Sequence, residues 1–301
     1  MGSKGSNINW PSGNSNQQPL DATEFRKSIR VKPRHMDFKF PDRIPKYWAN
    51  DNPYITHFLN ALSSVFPEGE RFFIDSVRNY VDKIDDPRLK REIRGFIGQE
   101  AHHGKHHTLF NDLVEKQGVP MDAISRYLKR TLNHARKNLS HEHQLAITIS
   151  LEHFTAIMAH RALVNDDLFD GVLPEFANLI RWHAIEETEH KAVAFDVYRK
   201  IGGRESVRKR VMIETTVLFL GNIFAMQLFF LIKDGFPIRP VKLFKSIDFL
   251  FGRVGFLRKI IPDYLDYFKT DFHPWQHNNA HLVSNWKSRY QHVEQNLVAE
   301  T

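Results

Sequence analysis

From Pro53 onward, apolar positions recur with the period of a helix, and no stretch sustains the period-two alternation that marks a strand. The pattern predicts a first helix from Pro53 to about Phe66. Pro67 and Gly69 are expected to interrupt it, with a second segment continuing through Phe72, Phe73, Val77 and Val81. The next helix opens at Asp85–Asp86–Pro87, an acidic cap with proline in the first turn, and closes at Gly118 before Pro120. A shorter helix is expected over about 121–137 and a long one over about 139–165. Another over about 173–200 stops at Gly202–Gly203. The fold class is therefore all-α: a four-helix bundle with additional C-terminal helices. The bundle core spans about 53–202, the apolar C-terminal helices about 205–270 and a tail 271–301. Residues 28–50 mix Pro33, Pro41 and Pro45 with Phe38, Phe40 and Trp48, and read as an extended arm laid over a core. Residues 1–27, rich at their start in Gly, Ser, Asn and Gln, read as a disordered tail before a single helical metal-binding domain over 28–301.

The most apolar run, 211–232, is long enough to span a membrane, but Glu214, Asn222 and Gln227 argue against a simple span. A second apolar segment, 247–262, carries Arg253, Arg258 and Lys259. The run reads as a buried helix that covers the bundle or lines a tunnel for an apolar substrate. The alternative is an interfacial helix giving peripheral membrane contact through about 211–262.

Within these helices the phrase Glu-x-x-His occurs twice, at Glu100/His103 and Glu187/His190. A spacing of three residues stacks both side chains on one helix face. His107 shares the face of Glu100, whereas His102 and His106 fall away from it, toward solvent or a supporting position. His183 shares the face of Glu187 and His190, and Glu186 lies at its edge. One carboxylate is expected from each remaining bundle helix. Glu152 is the single acid in the apolar stretch ITISLEHFTAIMAH, where an unpaired carboxylate costs several kcal/mol. Glu70 falls on the face of Phe73, Ile74 and Val77, while Glu68, beside Pro67, fits better as a helix-capping acid. The expected metal ligands are thus Glu70, Glu100, His103, Glu152, Glu187 and His190, with His183 as an additional one and the role of His107 open.

The absence of cysteine removes thiolate zinc, iron–sulfur and disulfide chemistry and leaves only nitrogen and oxygen ligands. Carboxylate and imidazole suit two iron ions, alternatively manganese or zinc. A net charge of +7 would permit nucleic-acid binding, but the basic residues are dispersed and no nucleic-acid motif accompanies them, so no nucleic-acid partner is expected. The first twenty residues hold no apolar signal core, which makes the cytoplasm the expected compartment, with membrane association as the variant.

The runs MDFKFPDRIPKYW, THFLNALSSVFPEGERFF, QEAHHGKHH, WHAIEETEHKAVAFDVY and FHPW resemble a bacterial family labelled "predicted metal-dependent hydrolase" over about residues 28–290. Separately, the ligand pattern resembles ferritin-like di-iron carboxylate oxygenases. The phrase His183, Glu187, His190 is similar to that of the aminoarene N-oxygenases, which use an extra His ligand. That resemblance implies a ferritin-like bundle and a di-iron site that activates O2, and it carries over no substrate. The apolar 211–262 region points to an apolar or amphiphilic small molecule for such an oxygenase or oxidase, and the lack of a flavin or iron–sulfur motif to an external electron donor. The alternative is a metal-dependent hydrolase with a metal-activated water and Glu186 as general base. A third reading is a non-catalytic metal-binding or membrane-associated protein.

Overall fold

The computed structural model describes residues 30–253 and 255–285 of the chain. The readings placed on 1–27 and on the end of the tail lie outside the described residues. Among those described, the chain is all-α and contains no strand, only one isolated bridge between Ala49 and Val172. The helices are α1 (Pro53–Arg78), α2 (Pro87–Lys116), α3 (Met121–Asn138), α4 (His141–Val164), α5 (Pro174–His190), α6 (Val193–Lys200), α7 (Glu205–Lys233), α8 (Pro240–Phe251), α9 (Phe256–Lys259) and α10 (Ile261–Asp266). α1 packs along α2, α4 along α5, and α7 lies across α1 and α4.

The expected interruption at Pro67 is absent: α1 runs unbroken for 26 residues with Pro67 inside it. Proline cannot donate the bond that the carbonyl of Ser63 would normally accept. Asn111 of α2 supplies the missing donor, its Nδ2 lying 3.2 Å from that carbonyl. Glu68 is consequently mid-helix, paired with Arg71 at 3.0 Å, and caps nothing. The helix start is instead made by Asn52, whose side chain accepts from the amides of Tyr54 and Ile55. The α2 start matches the pattern, with Asp86 accepting from the amides of Arg88 and Leu89 ahead of Pro87. The single helix expected over 173–200 is two, α5 and α6, divided at Lys191 and Ala192.

α7 turns one stripe inward, including Val211, Met212, Ile223, Met226 and Phe230, and leaves much of its apolar surface outside. By length and composition it is the one described helix able to cross a membrane, and 28% of its most apolar window is buried. Two of the polar residues in that run tie it to α1 and α3. Gln227 donates to the carbonyl of Tyr54 at 2.8 Å, and Asn222 accepts from the hydroxyl of Tyr127 at 2.7 Å.

The interior has two large apolar clusters. One gathers Trp48, Phe58, Phe110, Phe176 and Trp182, the other Phe72, Phe96, Ile149, Val197 and Tyr198. Along α2, Ile93 and Phe96 belong to one and Phe110 and Leu113 to the other. The polar residues 99–107 fall between. Residues 30–45 ahead of α1 form no helix or strand, as expected of an arm, and turns follow at 46–51; the segment sets Phe38 against Trp182, Phe40 against Phe110 and Trp48 against Phe176. The arm sits so close to α2 that side chains at Gly95 and Gly98 have no room. A β-carbon would stand 2.0 Å from the Val31 carbonyl oxygen and 2.3 Å from Pro33 Cγ, respectively.

Phe110, fully buried against Trp48 and Phe176, anchors the arm side of the core. Phe110→Ala is expected to cost about 3–5 kcal/mol, read as a lowered midpoint in urea unfolding.

Candidate metal centre

Each of four helices brings one carboxylate into the layer between the clusters: Glu70 from α1, Glu100 from α2, Glu152 from α4 and Glu187 from α5. All four are buried. Gly104 makes room for the first of them, since a β-carbon there would lie 3.0 Å from Glu70 Oε2. His103, His183 and His190 point ring nitrogens at the same place. His190 Nε2 is 3.1 Å from Glu100, 3.4 Å from Glu187 and 3.6 Å from Glu152. His183 Nε2 is 2.9 Å from Glu187 and 3.7 Å from Glu70. His103 Nδ1 is 3.6 Å from Glu100 and 3.7 Å from Glu187. Potential donor atoms of Glu70, Glu100 and His103 lie within 4.8 Å of one another, as do those of Glu100, Glu187 and His190 and those of His103, His183 and Glu187. The seven residues expected as ligands are therefore brought together.

The hydrogen bonds around the imidazoles fix where their lone pairs go. Gln99 uses its amide to donate to Glu189 and to the Lys32 carbonyl, so its oxygen accepts from His190 Nδ1 at 3.0 Å. His103 Nε2 donates to Glu186 at 3.1 Å. Ser63 donates to Asn111 and so accepts from His107 Nδ1; His107 Nε2 in turn accepts from His183 Nδ1 at 2.9 Å. Each of the three rings thus has its N–H engaged on the outer side and its other nitrogen turned inward. Both oxygens of Glu70, Glu100 and Glu152, together with His103 Nδ1 and His190 Nε2, are buried without a hydrogen-bond partner. Such atoms are costly unless a cation takes them. This donor set fits a metal, and the outer bonds are of the kind that orient metal ligands.

Electrostatics say the same. Burial pushes the carboxyls of Glu70 and Glu152 well above their ordinary range, and repulsion from Glu100 and Glu187 adds to it. Burial also raises Glu100, against the pull of His190. At Glu187 burial opposes ionisation, but His190 and His183 outweigh it and hold the carboxyl low. At His190 burial is likewise outweighed, by Glu187, Glu100 and Glu152, and the ring is driven toward its charged form.

Glu186 lies behind His103, away from the inward nitrogen. Its Oε1 accepts from the Arg34 side chain at 3.0 Å and from the Arg34 amide, while Oε2 faces His103. Arg34 also binds Glu189 through two bonds, at 2.6 and 2.8 Å. Burial pushes the Glu186 carboxyl up to about 7, with Arg34 opposing. His102 Nδ1 lies 3.1 Å from the Arg34 carbonyl oxygen, in a supporting place. His106, expected near solvent or in support, is buried under the arm between Phe38 and Trp182.

Sequence reasoning passed over Arg34, Gln99, Glu189, Ser63 and Thr155, whose hydroxyl donates to Glu187 in a short contact. Gln99 and Glu189 each immediately precede a ligand candidate, a signal open to a reader of the sequence. Arg34 carries none, because the arm has no period, and Ser63 carries none, because the expected break at Pro67 separates its helix from the segment bearing Glu70.

An apolar pocket reaches the cluster. It encloses about 870 Å³ counted out to solvent and is lined by Phe58, Leu62, Phe66, Met158, Ala159 and others, with His183, Glu187 and Thr155 on its wall. A separate group, Asp263, Asp266 and His277, stands half-buried elsewhere.

A family whose description reads "Predicted metal-dependent hydrolase" matches residues 32–278, and the chain belongs to that family. No curated protein and no solved structure matches it.

Removing Arg34 takes an ion-pair partner from two buried carboxylates, Glu186 and Glu189. Arg34→Ala is expected to cost about 3–5 kcal/mol, seen as a lowered thermal midpoint, and Arg34→Ala with Glu189→Gln is expected to recover part of that loss.

Proposed function

We propose that this member of the family is a dinuclear metal hydrolase that acts on an apolar or amphiphilic small molecule through a metal-activated water. The observation that carries this reading is the inward aim of three imidazole nitrogens at four buried carboxylates, most of whose oxygens have no other partner. Glu70, Glu100, His103, Glu152, Glu187 and His190 are the ligands, with His183 as a seventh. Four carboxylate charges balance two divalent cations, and oxygen with imidazole donors suits iron, manganese or zinc. Bound there, the ions supply a water of lowered pKa and polarise the substrate's acyl or phosphoryl oxygen.

The protein's own groups do the rest. The pocket places an apolar substrate beside His183 and Glu187, and its walls exclude water. His107, held by Ser63, keeps the proton of His183 on Nδ1 and the lone pair on Nε2. Glu186 keeps the His103 proton on Nε2. With both oxygens engaged in this way, Glu186 serves to orient His103 and to compensate Arg34 rather than as a general base.

Oxygen activation by two irons with an external electron donor is the second reading. One observation favours it: the set is rich in carboxylates, drawn from four helices and enclosed between apolar clusters. Metal-depleted protein reloaded with zinc or with ferrous iron separates the two. The zinc form is expected to cleave members of a panel of acyl and phosphoryl esters. Ester cleavage by neither form, with oxygen uptake by the reduced iron form alone, would replace hydrolysis by oxygen chemistry.

Metal content tests the ligand set directly. Glu100→Ala and His190→Ala are each expected to lower bound metal by at least one ion per chain, measured by elemental analysis. Glu68→Ala, whose carboxylate faces Arg71, is expected to leave it unchanged.

A further inference from the structure

The second half of the chain presents a surface that the bundle does not use. On α8 the inward positions are Ser246 and Leu250, yet the helix is apolar on its outer side as well. Val241 and Phe244 are 70% and 73% exposed, Ile247 and Phe251 are exposed beside them, and Ile238 precedes them at 84%. On α7, Ile213, Val217, Leu218, Leu228 and Ile232 form a second outward stripe. So large a set of exposed apolar side chains marks an interaction site rather than ordinary surface.

Charge identifies the partner. Residues 235–262 hold six Lys or Arg and a single acid, Asp248. Lys245, Arg258 and Lys259 are exposed among the apolar side chains. Apolar residues flanked by cations on short helices match a bilayer with anionic headgroups. A lipid surface also suits the geometry better than a span. α7 is held on α1 and α4 by its buried stripe, on Tyr54 of α1 by Gln227 and on Tyr127 of α3 by Asn222, and crossing a membrane would strip those contacts.

The same segment walls the pocket. Phe249 of α8 and Phe256 of α9 line the cavity that reaches His183 and Glu187, so on α8 the exposed face and the pocket wall are two sides of one helix. We propose that the outward apolar face of α7 and α8 seats on an anionic lipid surface and that the pocket is loaded from that surface with an acyl-chain amphiphile. The docking stands on the surface alone; the identity of the pocket's occupant as substrate rests on the metal-centre reading above.

The full chain, purified without detergent, is floated with vesicles of phosphatidylglycerol and phosphatidylcholine or of phosphatidylcholine alone. Binding to the anionic vesicles is expected, weakening as salt rises. Phe244→Asp with Ile247→Asp is expected to reduce partitioning by roughly tenfold or more. Transfer of a fluorescent acyl probe from vesicle to protein should slow in parallel. Lys245→Glu with Lys259→Glu should abolish the preference for anionic vesicles. Failure to bind the anionic vesicles, or binding untouched by the apolar substitutions, overturns docking. So does a dimer in sedimentation that Phe244→Asp with Ile247→Asp dissociates, which would assign the face to a second copy. Probe transfer at an equal rate in wild type and variant overturns loading from the surface. Metal analysis of the same samples keeps the two readings apart. The Phe244/Ile247 variant should retain its metal, and Glu100→Ala should still bind vesicles.

Discussion

Four carboxylates share one small volume inside this protein, and three of them have no hydrogen bond from the protein to either oxygen. In an apolar interior that arrangement is tolerable only if positive charge is present, because each isolated buried anion costs several kcal/mol. The Glu187 carboxyl is held low by His190 and His183, whereas burial raises Glu70, Glu100 and Glu152. A metal cation bound there would answer the deficit more completely than protons do, because it would accept lone pairs from several oxygens and nitrogens at once. The surrounding structure is arranged for that outcome. Every imidazole at the centre has its outer nitrogen held by a side chain whose own bonds dictate its role: Gln99 for His190, Glu186 for His103, His107 for His183.

Those holding groups come from parts of the chain far apart. Glu186 and Glu189 are themselves balanced by Arg34 from the extended arm, and Ser63 sits on α1 where Pro67 frees its carbonyl for Asn111. The arm reaches this place because Gly95 and Gly98 leave α2 bare beneath it. Two glycines, one proline and one asparagine therefore do for the centre's geometry what no ligand does alone.

Much of this was legible in the residues. The all-α class followed from periodicity, and the α2 start from Asp86 and Pro87. The seven residues that converge were found from helical spacing and from Glu152's isolation in an apolar run. Other features were not legible for identifiable reasons. Pro67 reads locally as a break, and only the long-range donor Asn111 lets the helix continue through it. A helical wheel places His106 away from the ligand face but cannot see the arm that covers it. Arg34 lies in a segment without period, so nothing local ties it to Glu186. Composition leaves open whether the 211–262 region is buried or interfacial; in the fold α7 turns one apolar stripe in and another out.

The pairing of Arg34 with Glu186 joins positions 152 residues apart. On a ribosome, the arm and α2 are complete long before α5 emerges. Throughout that interval Glu70 and Glu100 have neither Glu187 nor His190 nearby and must stay protonated or hydrated. A polypeptide ending before α5 carries Glu70, Glu100, His103 and Glu152 but lacks His183, Glu187 and His190, so the cluster is complete only once α5 has joined it.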